Sequence, residues 1–168
     1  MGEFQKNGWL VAISKEGTFT SDDTTMMIIP DEYIRYDTFK ATYQPIDVNS
    51  GESMASGRLY RKVLKRRKLK VEWNIPACTD TQMQKFFTLL RDRWVGERGQ
   101  KLYIKAYIPS LGKYVSDMAY LTSDLNFAII KKTENNSPIK ELMYGETRVA
   151  FIGYATKTAT YNGVPIKK

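Results

Sequence analysis

Arg58-Leu59-Tyr60-Arg61-Lys62-Val63-Leu64-Lys65-Arg66-Arg67-Lys68-Leu69-Lys70-Val71-Glu72-Trp73 runs without a glycine or a proline, and how this stretch folds decides the architecture. Its end alternates strictly, with Leu69, Val71 and Trp73 on one side and Lys68, Lys70 and Glu72 on the other, the period of a half-buried strand. The earlier part is ambiguous, because Tyr60, Val63 and Leu64 would also share one face of a helix. A helix cannot hand over to period two without a turn, and no turn former interrupts the run. The spacing therefore predicts one long strand, roughly 50 Å if unbroken at about 3.3 Å per residue. On such a strand Arg61, Lys65 and Arg67 share a face with Leu69 and Val71, while Lys62, Arg66, Lys68 and Lys70 occupy the other.

The same run carries the charge. Seven of the net +8 charges fall within residues 61–70, which hold no acid, leaving the other 158 residues at +1. The molecule is near neutral with one basic stripe.

Working outward, Trp9-Leu10-Val11-Ala12-Ile13 is a short candidate strand followed by a polar stretch, so residues 1–24 are expected to form an N-terminal arm or loose hairpin. Thr25–Ile29 should be a strand stopped by Pro30. Phe39–Tyr43 alternates before Pro45, which is expected to break it. Asp47–Gly57, with Asn49-Ser50-Gly51, has the composition of a polar mobile loop. On the other side of the long strand, Thr79 and Gln82 have capping-box spacing. Met83, Phe86, Phe87, Leu90 and Trp94 then form one apolar stripe, and Gly96 stands where a helix stops, which predicts a helix over about residues 80–95 with that stripe against the core. Leu102–Ile108 and Tyr114–Leu121 should form a hairpin, Asn126–Lys132 a further strand, and Thr147–Tyr154 a last one. The expected fold is mainly β, a β-sandwich or rolled antiparallel sheet with one packed α-helix. Residues 25–154 should be one β-rich domain, and 155–168 a polar C-terminal tail.

At 168 residues, 42% of them hydrophobic, the chain suits one core. The longest apolar runs, such as Met26–Ile29 and Phe127–Ile130, have four residues, far below the roughly 20 that span a bilayer. No membrane contact is expected. The N-terminus lacks the pattern of a secretion signal, and Cys78 is the single cysteine, so a reducing compartment is expected.

The chain contains no histidine. Ser–His and Cys–His catalysis and histidine-ligated zinc are therefore excluded, and one cysteine cannot build a thiolate site. Asp22-Asp23 and Asp31-Glu32 offer paired acids, but neighbouring acids on a strand point to opposite faces and in loops usually solvate a turn. No acid-x-lysine triplet of a metal-dependent nuclease occurs, the nearest being Glu146-Thr147-Arg148. Gly112-Lys113 lacks the upstream glycine of a phosphate loop. Cys78 precedes a helix without a base or a resolving thiol. No catalytic residue, metal or cofactor is expected. The remaining candidate is the stripe Arg61, Lys62, Lys65, Arg66, Arg67, Lys68 and Lys70, either as a protein interface or as phosphate contacts, with Tyr103, Lys105 and Tyr107 as a stacking surface.

The run Gly57–Trp73, then Thr79–Leu90, then Tyr103-Ile104-Lys105-Ala106-Tyr107-Ile108-Pro109, resembles small uncharacterised tail components of bacterial siphophages and prophages. The likeness covers about residues 37–154. It implies a virion structural role, located in the tail and assembled in the bacterial host cytoplasm. The order of long strand, helix and hairpin is similar to tail-tube and distal-tail subunits, which implies self-association into a hexameric ring around the DNA channel and contact with other tail proteins. Two departures accompany it. The segment from Ala155 is too short for a carbohydrate-binding appendage, and a basic stripe is unusual for a channel lining, so the stripe is expected at a subunit contact. The alternative is a basic nucleic-acid-binding module making non-specific DNA contact through residues 61–70.

Overall fold

A computed structural model describes residues 2–20, 22–52, 59–96, 100–122, 125–154, 160–161 and 164–165; at 46–52, 59–66 and beyond 154 only the backbone is described. In chain order the elements are α1 (Glu3–Asn7), β1 (Val11–Ser14), β2 (Met27–Ile28), a 3-10 turn (Asp31–Tyr33), β3 (Arg35–Glu52), β4 (Leu59–Ile75), β5 (Cys78–Thr79), α2 (Asp80–Arg91), β6 (Lys101–Ile108), β7 (Lys113–Leu121), β8 (Ile129–Lys132), β9 (Leu142–Tyr144), β10 (Thr147–Gly153), β11 (Thr160–Tyr161) and β12 (Val164–Pro165). The protein is mainly β, with a large antiparallel sheet and a single substantial helix among the described residues.

Seven strands form the main sheet in the order β2-β1-β6-β7-β10-β4-β3, and β5-β9-β8 form a smaller one. The large sheet curls until its edge strand β3 touches β6. Its inner face alternates as the sequence does: Leu69, Val71, Trp73 and Ile75 of β4 lie beside Val149 and Phe151 of β10, with Leu102, Ile104, Ala106 and Ile108 of β6 beyond, all essentially inaccessible to water. Met83, Phe86 and Leu90 of α2 close this core from above, with Phe87 and Trp94 packed at its margin.

The helix begins where the capping box predicts. The Thr79 side chain accepts from the Gln82 amide, and the Gln82 side chain accepts from the Thr79 N–H. It ends at Arg91, four residues before the expected boundary. Trp94 reaches the core from a turn, and Gly96 at φ +81° belongs to the connection to β6.

The long strand is present as β4, seventeen residues from Leu59 to Ile75. Two expectations beside it need correction. Pro45 does not break β3, because β3 is an edge strand, where a missing N–H is tolerated, and the ladder shifts register just after it. The stretch from Asp47 is strand to Glu52 rather than loop, since β4 lies opposite and supplies its backbone partners; residues 53–58 lie outside the described residues.

Within residues 1–24, expected as an arm or loose hairpin, Val11–Ser14 is a strand seated between β2 and β6. Val11 and Ile13 face the core, while Ala12 and Ser14 are buried on the other side. The 14–25 connection is tied by Asp23, whose carboxylate accepts hydrogen bonds from Ser14, from the Thr25 hydroxyl and amide, and from the Phe19 amide. The predicted 102–108/114–121 hairpin is β6–β7. The 126–132 strand is reduced to Ile129–Lys132, and β9 was not expected at all. In the C-terminal segment, expected as a polar tail, β11 pairs with β12.

Candidate interaction surface

The pairing of β4 changes along its length. From Lys70 to Ile75 it lies between β10 and β3, with Ile152 opposite Lys70 and Thr147 opposite Ile75. From Leu69 down to Leu59 its ladder partner among the described residues is β3. The β3–β4 hairpin therefore projects beyond the sheet as an arm, eleven residues or about 35 Å long on its β4 limb. The basic stripe lies on this arm and its root.

Of the stripe, Arg67, Lys68 and Lys70 have described side chains; those of Arg61, Lys62, Lys65 and Arg66 lie outside the described residues. The described three divide as period two requires. The Arg67 guanidinium lies 5.9 Å from the ring centre of Tyr43, on the side of Leu69. Lys68 and Lys70 line a shallow recess of about 250 Å³ with Thr42, Gln44, Pro45 and Ile152 on the opposite face. Farther from the arm, that outer face is charge-balanced: Arg148 pairs with Glu72, and Arg35 pairs with both Asp37 and Glu146. The Arg148 contact outweighs the effect of burial and lowers the Glu72 carboxyl below its ordinary value. Glu146 also accepts from the Asn74 amide. The sequence singled out Glu146 only as part of Glu146-Thr147-Arg148 and not for this pairing, which depends on β10 lying beside β4.

Tyr103, Lys105 and Tyr107 do share the outer face of β6, but the N-terminal segment covers them. Phe4 packs on Tyr107 with ring centres 5.2 Å apart, Gly17 lies against the Tyr103 ring, and the Lys105 ammonium sits about 6 Å from the rings of Trp9, Phe19 and Tyr114. Gly17 has φ +82°, and a Cβ there would stand 2.7 Å from Tyr103 Cδ1, so this approach requires glycine. The expected stacking surface is occupied by the chain itself.

The helix stripe sits as predicted, and it shapes a second surface. Tyr33 of the 3-10 turn is buried against Phe86, its hydroxyl donating to the Gln82 carbonyl and its own carbonyl accepting from the Trp73 indole at 2.9 Å. These contacts hold the turn alongside α2 and leave a groove of about 660 Å³ between them. Its floor is apolar (Pro30, Tyr33, Leu89), and Glu32 and Asp80 stand on its walls. Asp80 is held by the Tyr144 hydroxyl at 2.9 Å. A third exposed feature is the small sheet, where Ile129, Ile130 and Met143 are solvent-exposed, as is Ile139 in the connection between β8 and β9.

The acid pairs are not brought together as reactive groups. Asp22 is exposed and Asp23 is buried in its loop, while Asp31 and Glu32 are both exposed on the 3-10 turn. Burial by itself raises the Asp23 carboxyl, but the hydrogen bonds from Ser14, Thr25 and Phe19 outweigh it and hold the group well below the usual carboxylate range. Cys78 is buried, which pushes its thiol above the ordinary value. No helix among the described residues is long and apolar enough to cross a membrane.

The profile of one family, described as a Family of unknown function (DUF6711), matches residues 5–154, a span that takes in the main sheet, the arm and α2. No curated protein and no solved structure matches the chain.

Proposed function

Given that the chain belongs to the DUF6711 family, we propose that it is a structural subunit of a phage or prophage tail, of tail-tube, distal-tail or adaptor type, that works by self-association into a ring and by contact with neighbouring tail proteins. The observation that carries this reading is the β3–β4 arm. A two-stranded ribbon is at best marginally stable in water, and this one continues for eleven residues of β4 past its last ladder pairing with β10 at Lys70. An arm of that length gains stability by lying on another surface. The exposed apolar side chains of the small sheet add a second area suited to assembly. A hexameric ring is the stoichiometry that the resemblance to tail subunits implies.

The test is the size and shape of the purified protein. Sedimentation should show a concentration-dependent species several times the monomer mass, and negative-stain images should show closed rings. A monomer at every concentration would overturn the proposal. The nucleic-acid reading draws on the stripe alone. It takes first place if the monomer binds duplex DNA with an affinity that falls steeply with added salt, as release of counterions from phosphates demands.

A further inference from the structure

The molecule carries two unmatched surfaces at opposite ends of β3. The 3-10 turn and its groove lie just before Arg35, where β3 begins, and the arm reaches Glu52, where β3 ends opposite Leu59. The separation along the strand is about 50 Å, so the arm of a given copy cannot reach its own groove.

The chemistry of the two surfaces is complementary. Along the β4 limb no acid occurs between Arg58 and Val71, and Tyr60, Val63 and Leu64 are interspersed among the cations. The groove offers an apolar floor in Pro30, Tyr33 and Leu89, flanked by Glu32 and Asp80 against the single cation Lys85. Asp31 is exposed beside it. No ion pair among the described residues neutralises Asp31, Glu32 or Asp80, whereas Asp37, Glu72 and Glu146 are each paired with an arginine. The competing apolar surface, around Ile129, Ile130 and Met143, adjoins Lys131 and Lys132 and would repel a basic strand.

We infer that the groove between the 3-10 turn and α2 receives the basic β4 limb of the arm of a second copy of this chain. This rests on the self-assembly reading above and assigns its contact. Arm and groove are different surfaces, so the contact is heterologous: each copy gives its arm to one neighbour and takes an arm from another. Such a contact closes into a ring or propagates, and does not stop at a two-fold dimer.

Site-directed cross-linking tests it. In a Cys78→Ala background, copies bearing Gln84→Cys on the exposed rim of the groove are mixed with differently tagged copies bearing Lys62→Cys on the arm, then oxidised. The expected product is a disulfide-linked pair containing both tags, at least tenfold more abundant than when Lys62→Cys meets Leu111→Cys in the β6–β7 turn. In a second measurement, Glu32→Lys should weaken assembly at least tenfold with an unchanged circular dichroism spectrum, and adding Arg66→Glu should restore part of the loss. Rings that form while Gln84→Cys cross-links no better than Leu111→Cys would overturn this contact and leave the assembly reading standing. Absence of any assembly in the unsubstituted protein would overturn both.

Discussion

The two halves of β4 are one continuous strand under opposite constraints. From Lys70 to Ile75 the strand lies between two others, and Leu69, Val71, Trp73 and Ile75 are sealed in the core. From Leu59 to Arg66 its ladder partner among the described residues is β3. The first half shows strict alternation because one face meets an apolar layer. The second half, Leu59-Tyr60-Arg61-Lys62-Val63-Leu64-Lys65-Arg66, does not alternate, and past Lys70 the ladder with β10 has ended. Periodicity in a sequence reports burial within the same molecule. An element proposed to find its partner on another copy is free to follow a different pattern, here a basic one.

The largest effect should come from the sealed half. Trp73 is fully buried, 5.9 Å from Phe151, and its indole N–H is bonded to the Tyr33 carbonyl. Phe86 of α2 belongs to the same core and is equally inaccessible. Trp73→Ala or Phe86→Ala should cost about 3–5 kcal/mol, and Leu90→Ala about 2–5 kcal/mol, through lost burial and an unfilled cavity. Chemical denaturation checks this; a loss below about 1 kcal/mol at Trp73 would mean that the two halves are not energetically distinct.

Reversing the arm should act on association and not on folding. Replacing Lys62, Arg66, Lys68 and Lys70 by Glu leaves Leu69, Val71 and Trp73 untouched but sets like charges against an acidic partner, a mismatch that can cost several kcal/mol at a close interface. The expected product is a folded monomer that fails to enter rings, seen by sedimentation together with an unchanged melting temperature. Rings that persist would place the contact elsewhere on the molecule.

A smaller effect, confined to the body, concerns acid. The folded Asp23 and Glu72 carboxyls both lie below their ordinary values. Each therefore contributes stability that is fully present above the unfolded value of about 4 and is lost as pH falls toward the folded one. Stability should decline below about pH 4, and Asp23→Asn should flatten part of that decline. At neutral pH the same substitution should cost about 1–3 kcal/mol, because buried donors from Ser14, Thr25 and Phe19 lose a charged acceptor. Urea midpoints measured from pH 2.5 to 7 for both proteins give the comparison.

Legibility in the sequence follows the same division. The sealed part of β4, the start of α2 and the β6–β7 hairpin were readable because each depends on neighbours close in sequence: an alternation, a Thr79–Gln82 box, a Pro-Ser-Leu-Gly turn. The end of α2 was not, since Trp94 continues the apolar stripe from a turn after the helix has stopped. The strand beyond Pro45 was hidden by Asn49-Ser50-Gly51, turn formers that become strand because β4 lies opposite. Asp23 looked like a solvated loop acid, although Asp23-Thr24-Thr25 placed nine residues after Ser14 held the hint of a tied loop. The groove was invisible: Glu32 and Asp80 lie far apart in sequence and meet only because Tyr33 packs on Phe86.

The smallest effect on folding, and the sharpest form of the comparison, should come from removing the arm altogether. Up to Pro45 the β3–β4 ladder is regular, with Tyr43 opposite Leu69, Gln44 opposite Lys68 and Pro45 opposite Arg67. That register would place Ile46 opposite Arg66, so residues 47–65 can be replaced by Asn-Gly, the pair that favours a two-residue hairpin turn. The shortened chain keeps the core layer built on Leu69, Val71, Trp73 and Ile75. The excised segment closes a longer loop than the turn replacing it, and loop-closure entropy changes slowly with length, by about 0.6 kcal/mol per doubling. The shortened chain should therefore be as stable as the full one, or up to about 2 kcal/mol more stable, while sedimenting as a monomer at concentrations where the full chain forms rings. A fall of several kcal/mol in the monomer would show that the arm stabilises its own body, and would end the distinction between the two halves of β4.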